Sequence, residues 1–372
     1  MSKKQRIIVS TNTAEEIRAI VRSHGIEKLL LVCDTSFKLL DTYKEYESIQ
    51  VPCVAFDEFS SNPLYRDVCK GVEMFRSEQC DAILAIGGGS AIDVAKCIKL
   101  FCKMSDSELY LHQEYKENQV PLIAVPTTSG TGSESTRYAV VYYKGQKQSV
   151  THESIIPDYA LLDRRNLHTL PLYQKKCTML DALCQGIESW WSVNADQESR
   201  KYSKKAIELL MENQEAYLAN EEQGNENMML AANYAGRAIN ITQTTAAHAM
   251  SYKLTSLYGI PHGRAVFMCL PHVWEYMERN TEHSECYQQE ELENIFRSIA
   301  ATLKCSNTSE AITYLNGLNE QLFEKDPVRV NSEDARLLSK SVNVTRLKNN
   351  PIELNEDILY RLYLEIIHSA SK

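Results

Sequence analysis

The stretch DAILAIGGGSAIDVAKCIKLF, Asp81–Phe101, passes from an aliphatic run, through three glycines and a serine, into a segment with helically spaced apolar residues. A short apolar run ending at glycine reads as a strand buried on both faces, and the change of period after Ser90 reads as a helix. Strand, glycine turn and helix make half of a βαβ unit. The same rhythm continues outward, with KLLLVCD (28–34), PCVAF (52–56) and PLIAV (121–125) separated by helical segments. This predicts a parallel sheet covered by helices. RYAVVYYKGQ (137–146) and YALLD (159–163) add strand candidates, and from about residue 170 the period becomes helical, as in KAIELLMENQEAYL (205–218) and ENMMLAANYAGRAINI (226–241). Pro157 and NLHTLP (166–171) mark the junction. The expected division is an α/β domain over 1–168 and a helical domain over 169–372.

With 372 residues, 44% of them hydrophobic, the chain buries a large core and suits two domains. A net charge of -9 and a pI near 5.6, without a dense Lys/Arg run, argue against nucleic acid as a partner. MSKKQRIIVSTNTAEEI has basic residues with no apolar run behind them, and no stretch is long and apolar enough to span a membrane. A soluble, cytoplasmic protein is expected. The eleven cysteines are scattered, odd in number and mostly inside apolar segments, with no CxxC, so they read as reduced core residues rather than disulfides or a thiolate zinc site.

Three glycines at the strand-to-helix turn let a ligand approach the backbone, and the helix start offers N–H groups and a positive dipole end. Gly87, Gly88, Gly89 and Ser90 therefore suit a phosphate; a tight turn is the plainer account, and the spacing is not GxGxxG. PTTSGTGSE (126–134) follows another buried strand with five hydroxyl residues and two glycines. Two such loops after neighbouring parallel strands point to a nucleotide, because ligands collect at the carboxyl ends of strands. Asp34, at the end of KLLLVCD, suits a ribose 2′-hydroxyl and repels a 2′-phosphate, favouring NAD(H) over NADP(H); a helix-capping Asp is the alternative.

In the helical half, TTAAHAMSYKLTSLYGIPHG (244–263) sets His248 and Tyr252 one turn apart, with Gly259 ending that helix and Pro261 opening the next. His262 then sits on a connector that can fold back toward the first helix. Asp181, His248 and His262 converge in this reading as ligands of one divalent metal, against the alternative of satisfied core residues.

The set GGGSAIDVAK, PTTSGTGSE, DALCQGIES, HAMSYKLTSLYGIPHG and Asn62-Pro63 resembles the iron-containing (group III) alcohol dehydrogenases, whose fold is similar to glycerol dehydrogenase and dehydroquinate synthase. The resemblance spans about residues 34–273. It implies a Rossmann-like nucleotide-binding domain, a helical metal-binding domain, and a cleft between them for hydride exchange between a nicotinamide and an aldehyde. Gly87–Ser90 match the pyrophosphate loop, Thr127, Thr128 and Thr131 the cofactor-contacting threonines, Asp34 the acidic position of NAD-preferring members, and Asp181, His248 and His262 three of four metal ligands. The fourth is usually His and is here Gln185; a frequent His one turn after His248 is here Tyr252. A glutamine carbonyl can complete the shell of Fe(II), Zn(II) or Mn(II), with Fe(II) foremost. Tyr252 becomes a candidate to supply or relay a proton, with a core tyrosine as the alternative.

The combination of DALCQ, HAMSY and LTSLYGIPHG resembles the phosphonoacetaldehyde reductase branch more than the propanediol or lactaldehyde branches; that branch forms 2-hydroxyethylphosphonate and must hold a dianion. Arg264 lies in the first turn of a predicted helix, where the macrodipole disfavours a cation. An anionic substrate explains that placement, as does a plain surface arginine; Arg137, Lys147 and Lys253 are weaker candidates. The expected activity is NAD(P)H-linked, metal-dependent aldehyde reduction in a protein whose default assembly is a homodimer. The other readings are a dehydrogenase of a neutral alcohol or diol, a lyase of the dehydroquinate synthase type, and a catalytically silent relative.

Overall fold

The structure is a computed structural model and describes residues 5–370. Two compact units divide the chain: residues up to Pro171 together with Glu215–Gly236, and Leu172–Gln214 together with Arg237 onward. The division is thus not a single cut near residue 168. A helical stretch expected in the second domain groups with the first.

In the first unit, β1 (Arg6–Val9), β2 (Leu29–Cys33), β3 (Cys53–Phe56), β4 (Ala82–Gly87), β5 (Leu122–Pro126) and β8 (Tyr159–Leu162) form one parallel sheet in the order β1-β8-β5-β4-β2-β3. The apolar runs of β2, β4, β5 and β8 are explained by burial on both faces, whereas the edge strands β1 and β3 are partly exposed. Ile83 and Ala85 join the core under α3 (Tyr65–Ser77) and α4 (Gly89–Phe101), while Ala82, Leu84 and Ile86 join the core under α1 (Thr13–His24) and α2 (Tyr43–Glu47). RYAVVYYKGQ leaves the sheet. It forms the hairpin β6 (Tyr138–Tyr143) and β7 (Gln146–Thr151), whose two turn residues, Lys144 and Gly145, have φ of 50° and 75°, as the twist of a tight hairpin demands.

The remaining helices are α5 (Leu172–Trp191), α6 (Gln197–Leu218), α7 (Glu222–Thr242), α8 (Ala246–Tyr258), α9 (His262–Glu278), α10 (Gln289–Thr302), α11 (Thr308–Phe323), α12 (Ala335–Lys340), α13 (Val344–Leu347) and α14 (Glu356–Ala370). In the second unit α9 packs against α5 and α8, and Trp191, Trp274 and Phe296 form an edge-to-face cluster between α5, α9 and α10. The α/β plus helical architecture is the expected one. All eleven cysteines are free, seven of them buried. Among the described residues, no helix is long and apolar enough to cross a membrane.

Candidate functional site

The parallel register brings the ends of three strands level. Cys33 lies opposite Ile86 and Gly87 opposite Pro126, so Asp34, the glycine loop and the threonine loop all emerge at one end of the sheet. The two loops touch. A Cβ on Gly89 would stand 2.9 Å from Thr131 Oγ1, and one on Gly88 3.5 Å from Thr128 Oγ1, so both threonines lie directly beside bare backbone at the start of α4. Thr127 is buried and donates its N–H to the Gly87 carbonyl, 3.0 Å away. Ser90 Oγ donates to the Ser61 carbonyl, tying the helix start to the Asn62-Pro63 segment. Asp34 does two things. Its Oδ1 accepts from the Ser36 N–H as cap of the turn that follows, while Oδ2 lies 3.4 Å from where a Cβ on Gly87 would stand.

The threonine loop is anchored from below. Gly132 has φ of +58°, and its backbone lies so close to Gly236 on α7 that a Cβ on Gly236 would meet the Gly132 carbonyl at 2.5 Å. Beneath the loop, Lys96 of α4 is fully buried and donates to Ser133 Oγ, Thr136 Oγ1 and the Tyr138 carbonyl, while Asp93 accepts from Ser133 Oγ and the Val140 N–H. Burial drives the Lys96 pKa down to about 8 against the opposing pull of Asp93 and Glu134.

In the second unit, Asp181, His248 and His262 each offer a ligand atom, all within 4.8 Å of one another. Asp181 and His248 are buried and His262 half-buried. His248 Nε2 is 3.3 Å from Asp181 Oδ1, and Gln185, one turn along α5, is buried beside them and hydrogen bonds to the Asp181 carboxylate. Burial opposes ionisation of Asp181, yet the hydrogen bond from His248 and the nearby His262 hold its carboxyl below the ordinary value. His262 is the first residue of α9 rather than part of a loose connector; Gly259, at φ of +68°, ends α8 and Pro261 caps α9. Close approach of α9 to α5 requires Gly263, where a Cβ would stand 2.0 Å from the Cys177 carbonyl and 2.8 Å from Asp181 Cβ.

Glu188, also fully buried, reaches His248 from the other side and accepts from its Nδ1. Burial works against protonation, but Glu188 and Asp181 together push the His248 pKa up to about 10. With both imidazoles neutral, as metal ligation requires, this cluster would hold two buried carboxylates without a balancing charge. A divalent cation supplies that balance, so the donor set fits a metal.

The sequence profile described as iron-containing alcohol dehydrogenase matches residues 4–164, and that of the Fe-containing alcohol dehydrogenase family, C-terminal, matches residues 176–367. The chain belongs to the iron-containing alcohol dehydrogenase family. Among curated relatives, the probable alcohol dehydrogenase EutG of Escherichia coli is 34% identical over 58% of this chain, a match spanning only 56% of that relative's length. The 4-hydroxybutyrate dehydrogenase of Clostridium kluyveri is 32% identical over 68% of each chain. A crystal structure of an iron-containing alcohol dehydrogenase from Thermotoga maritima superposes with a TM-score of 0.82 at 25% identity, covering 98% of each chain.

Within this iron-containing alcohol dehydrogenase fold, Tyr252 is half-buried and stacks on the His262 ring, with centroids 5.8 Å apart and planes 13° apart. Arg264 is not a surface arginine. It is 5% exposed, lies over the Phe323 ring at 4.0 Å, and donates to Tyr173 Oη at 3.1 Å and the Asp326 carbonyl at 2.5 Å. These partners explain its place at a helix start: a carbonyl and an aromatic face offset the dipole. Of the weaker candidates, Arg137 pairs with Glu153. Sequence reasoning missed Glu188, although a signal was present. It falls seven residues after Asp181 and three after Gln185, on the same helical face, as a charge among apolar neighbours.

Proposed function

We propose that this protein reduces a short aldehyde to a primary alcohol with NADH and a divalent metal, Fe(II) foremost, and that phosphonoacetaldehyde is the leading substrate. The observation that carries the reading is the buried convergence of Asp181, His248 and His262, whose ligand atoms lie within 4.8 Å of one another. When bound, the ion supplies Lewis-acid polarisation of the aldehyde oxygen and the reduced nicotinamide supplies hydride. The chain does the rest. Asp181, His248 and His262 hold the ion; Gln185 orients the Asp181 carboxylate and is positioned to add an amide oxygen. The bare backbone of Gly88 and Gly89, with Thr128 and Thr131 beside it, forms a bed for a pyrophosphate, and the Asp34 carboxylate disfavours a 2′-phosphate. Tyr252, stacked on His262, is the candidate to deliver the proton.

What supports an anionic substrate is the resemblance of the motifs that hold Gln185 and Tyr252, DALCQ and HAMSY, to the phosphonoacetaldehyde reductase branch. Relatives of similar identity act, by name, on both a carboxylated alcohol, 4-hydroxybutyrate, and a neutral one, 1,3-propanediol. Arg264 serves an anion only by exchanging the Asp326 carbonyl for it. The test is NADH oxidation with phosphonoacetaldehyde beside propanal, in Fe(II), Zn(II) and Mn(II). Metal-dependent turnover, faster with phosphonoacetaldehyde, is expected. Turnover of propanal alone replaces the substrate assignment, and no turnover of either aldehyde by metal-loaded protein overturns the reductase reading.

A further inference from the structure

The structure assigns Glu188 as the positioning residue that makes His248 a metal ligand, through the same carboxylate that starts the helix carrying it; this deepens the metal-site reading above and rests on it. Thr245 precedes α8 but makes no side-chain cap of its own. The cap comes instead from α5. Glu188 Oε1 accepts from the N–H groups of Thr245, Ala247 and His248 at 3.2, 2.9 and 3.3 Å, and from Thr245 Oγ1 at 2.8 Å. Thr245 Oγ1 in turn accepts from the Trp191 indole at 3.0 Å, which leaves its proton for Glu188. The second oxygen, Oε2, takes the His248 Nδ1 proton.

This arrangement fixes a tautomer. Every group facing the Glu188 carboxylate is a donor, so a neutral His248 carries its proton on Nδ1 and turns the Nε2 lone pair toward Asp181. His262 is handled similarly. Ser251 Oγ donates to the His248 carbonyl at 2.8 Å, so at 3.4 Å from His262 Nδ1 it is placed to accept, which favours a free Nε2 there too.

Glu188→Gln separates capping from tautomer control. A carboxamide has one acceptor and one donor end; with its oxygen on the α8 N–H groups, its NH2 faces His248 Nδ1 and forces the proton onto Nε2, the ligating atom. The experiment titrates Zn(II) into metal-free wild-type, Glu188→Gln and Glu188→Ala proteins by calorimetry, with thermal melting of each metal-free protein. Glu188→Gln is expected to melt near wild type and to bind Zn(II) about 10- to 100-fold more weakly. Glu188→Ala is expected to lose both. Unchanged Zn(II) affinity in Glu188→Gln overturns the assignment and leaves the metal site standing, whereas no Zn(II) binding by wild type overturns both. Should Glu188→Gln not fold, 15N spectra of histidine-labelled, Zn(II)-loaded wild type decide: a protonated His248 Nδ1 supports the assignment, and a proton-free Nδ1 overturns it.

Discussion

Gln185 differs from histidine in donor strength and in what it leaves for its neighbour. An amide binds a divalent ion more weakly than an imidazole, and here part of it is spent on Asp181. Gln185→His is expected to tighten Zn(II) binding by about tenfold, roughly 1.4 kcal/mol, measured by competition with a chelating dye. Lys96 gives a pH signature. Its folded pKa of about 8 lies below the ordinary 10.5, so between those values the folded chain has shed a proton that the unfolded chain keeps. Stability then gains with pH in that window. Against Lys96→Met, which costs about 3 kcal/mol at pH 7 by stranding the buried Asp93, the wild-type advantage should grow from pH 8 to 10.5 in urea titrations. At this scale the grouping of Asp181, His248 and His262 was expected from the family resemblance, and the structure brings their ligand atoms within 4.8 Å of one another. The burial of Arg264 was not, because Asp326 and Phe323 are some sixty residues away in the chain. Glu188 was hidden for a related reason: its partners start a helix that the sequence places 57 residues later.

Strands and turns follow local chemistry closely, which is why β2, β4 and β5 were readable as apolar runs within a residue or two. Their order in the sheet was not, since it depends on crossovers that no single run encodes. The hairpin β6–β7 read as strand but not as a structure apart from the main sheet, because alternating burial and pairing partner are different properties. The threonine loop and α7 meet backbone to backbone at Gly132 and Gly236. Gly236→Ala is expected to force them apart at a cost of about 1–3 kcal/mol and to weaken NADH binding, since Thr131 rides on the displaced loop. Denaturant unfolding and NADH fluorescence check the two halves of that expectation, and an unchanged NADH affinity would show that the loop does not need this anchor.

On the scale of the whole chain, the residues proposed to hold the nucleotide and those proposed to hold the metal belong to different compact units. Their losses should therefore be separable. His262→Ala is expected to lower metal affinity by roughly 100-fold or more and abolish turnover, while NADH affinity stays within about a factor of two. Metal analysis of purified protein, fluorescence titration and the aldehyde assay together check this; full activity with unchanged metal content would refute the ligand assignment. The same division explains why a single boundary near 168 was the natural reading. Composition shifts to helix there, but Glu215–Gly236 is helical and still groups with the sheet, so secondary structure and unit membership part company.

The contact at Gly263 sets a limit of its own. With a glycine against the Cys177 carbonyl and Asp181 Cβ, α9 and α5 already stand as near as two backbones permit. Asp181 is carried by one helix and His262 by the other, so the spacing of these two residues has a stop against shrinking built into the backbone. Any closer approach of the two ligand atoms must therefore come from side-chain rotation and not from the helices.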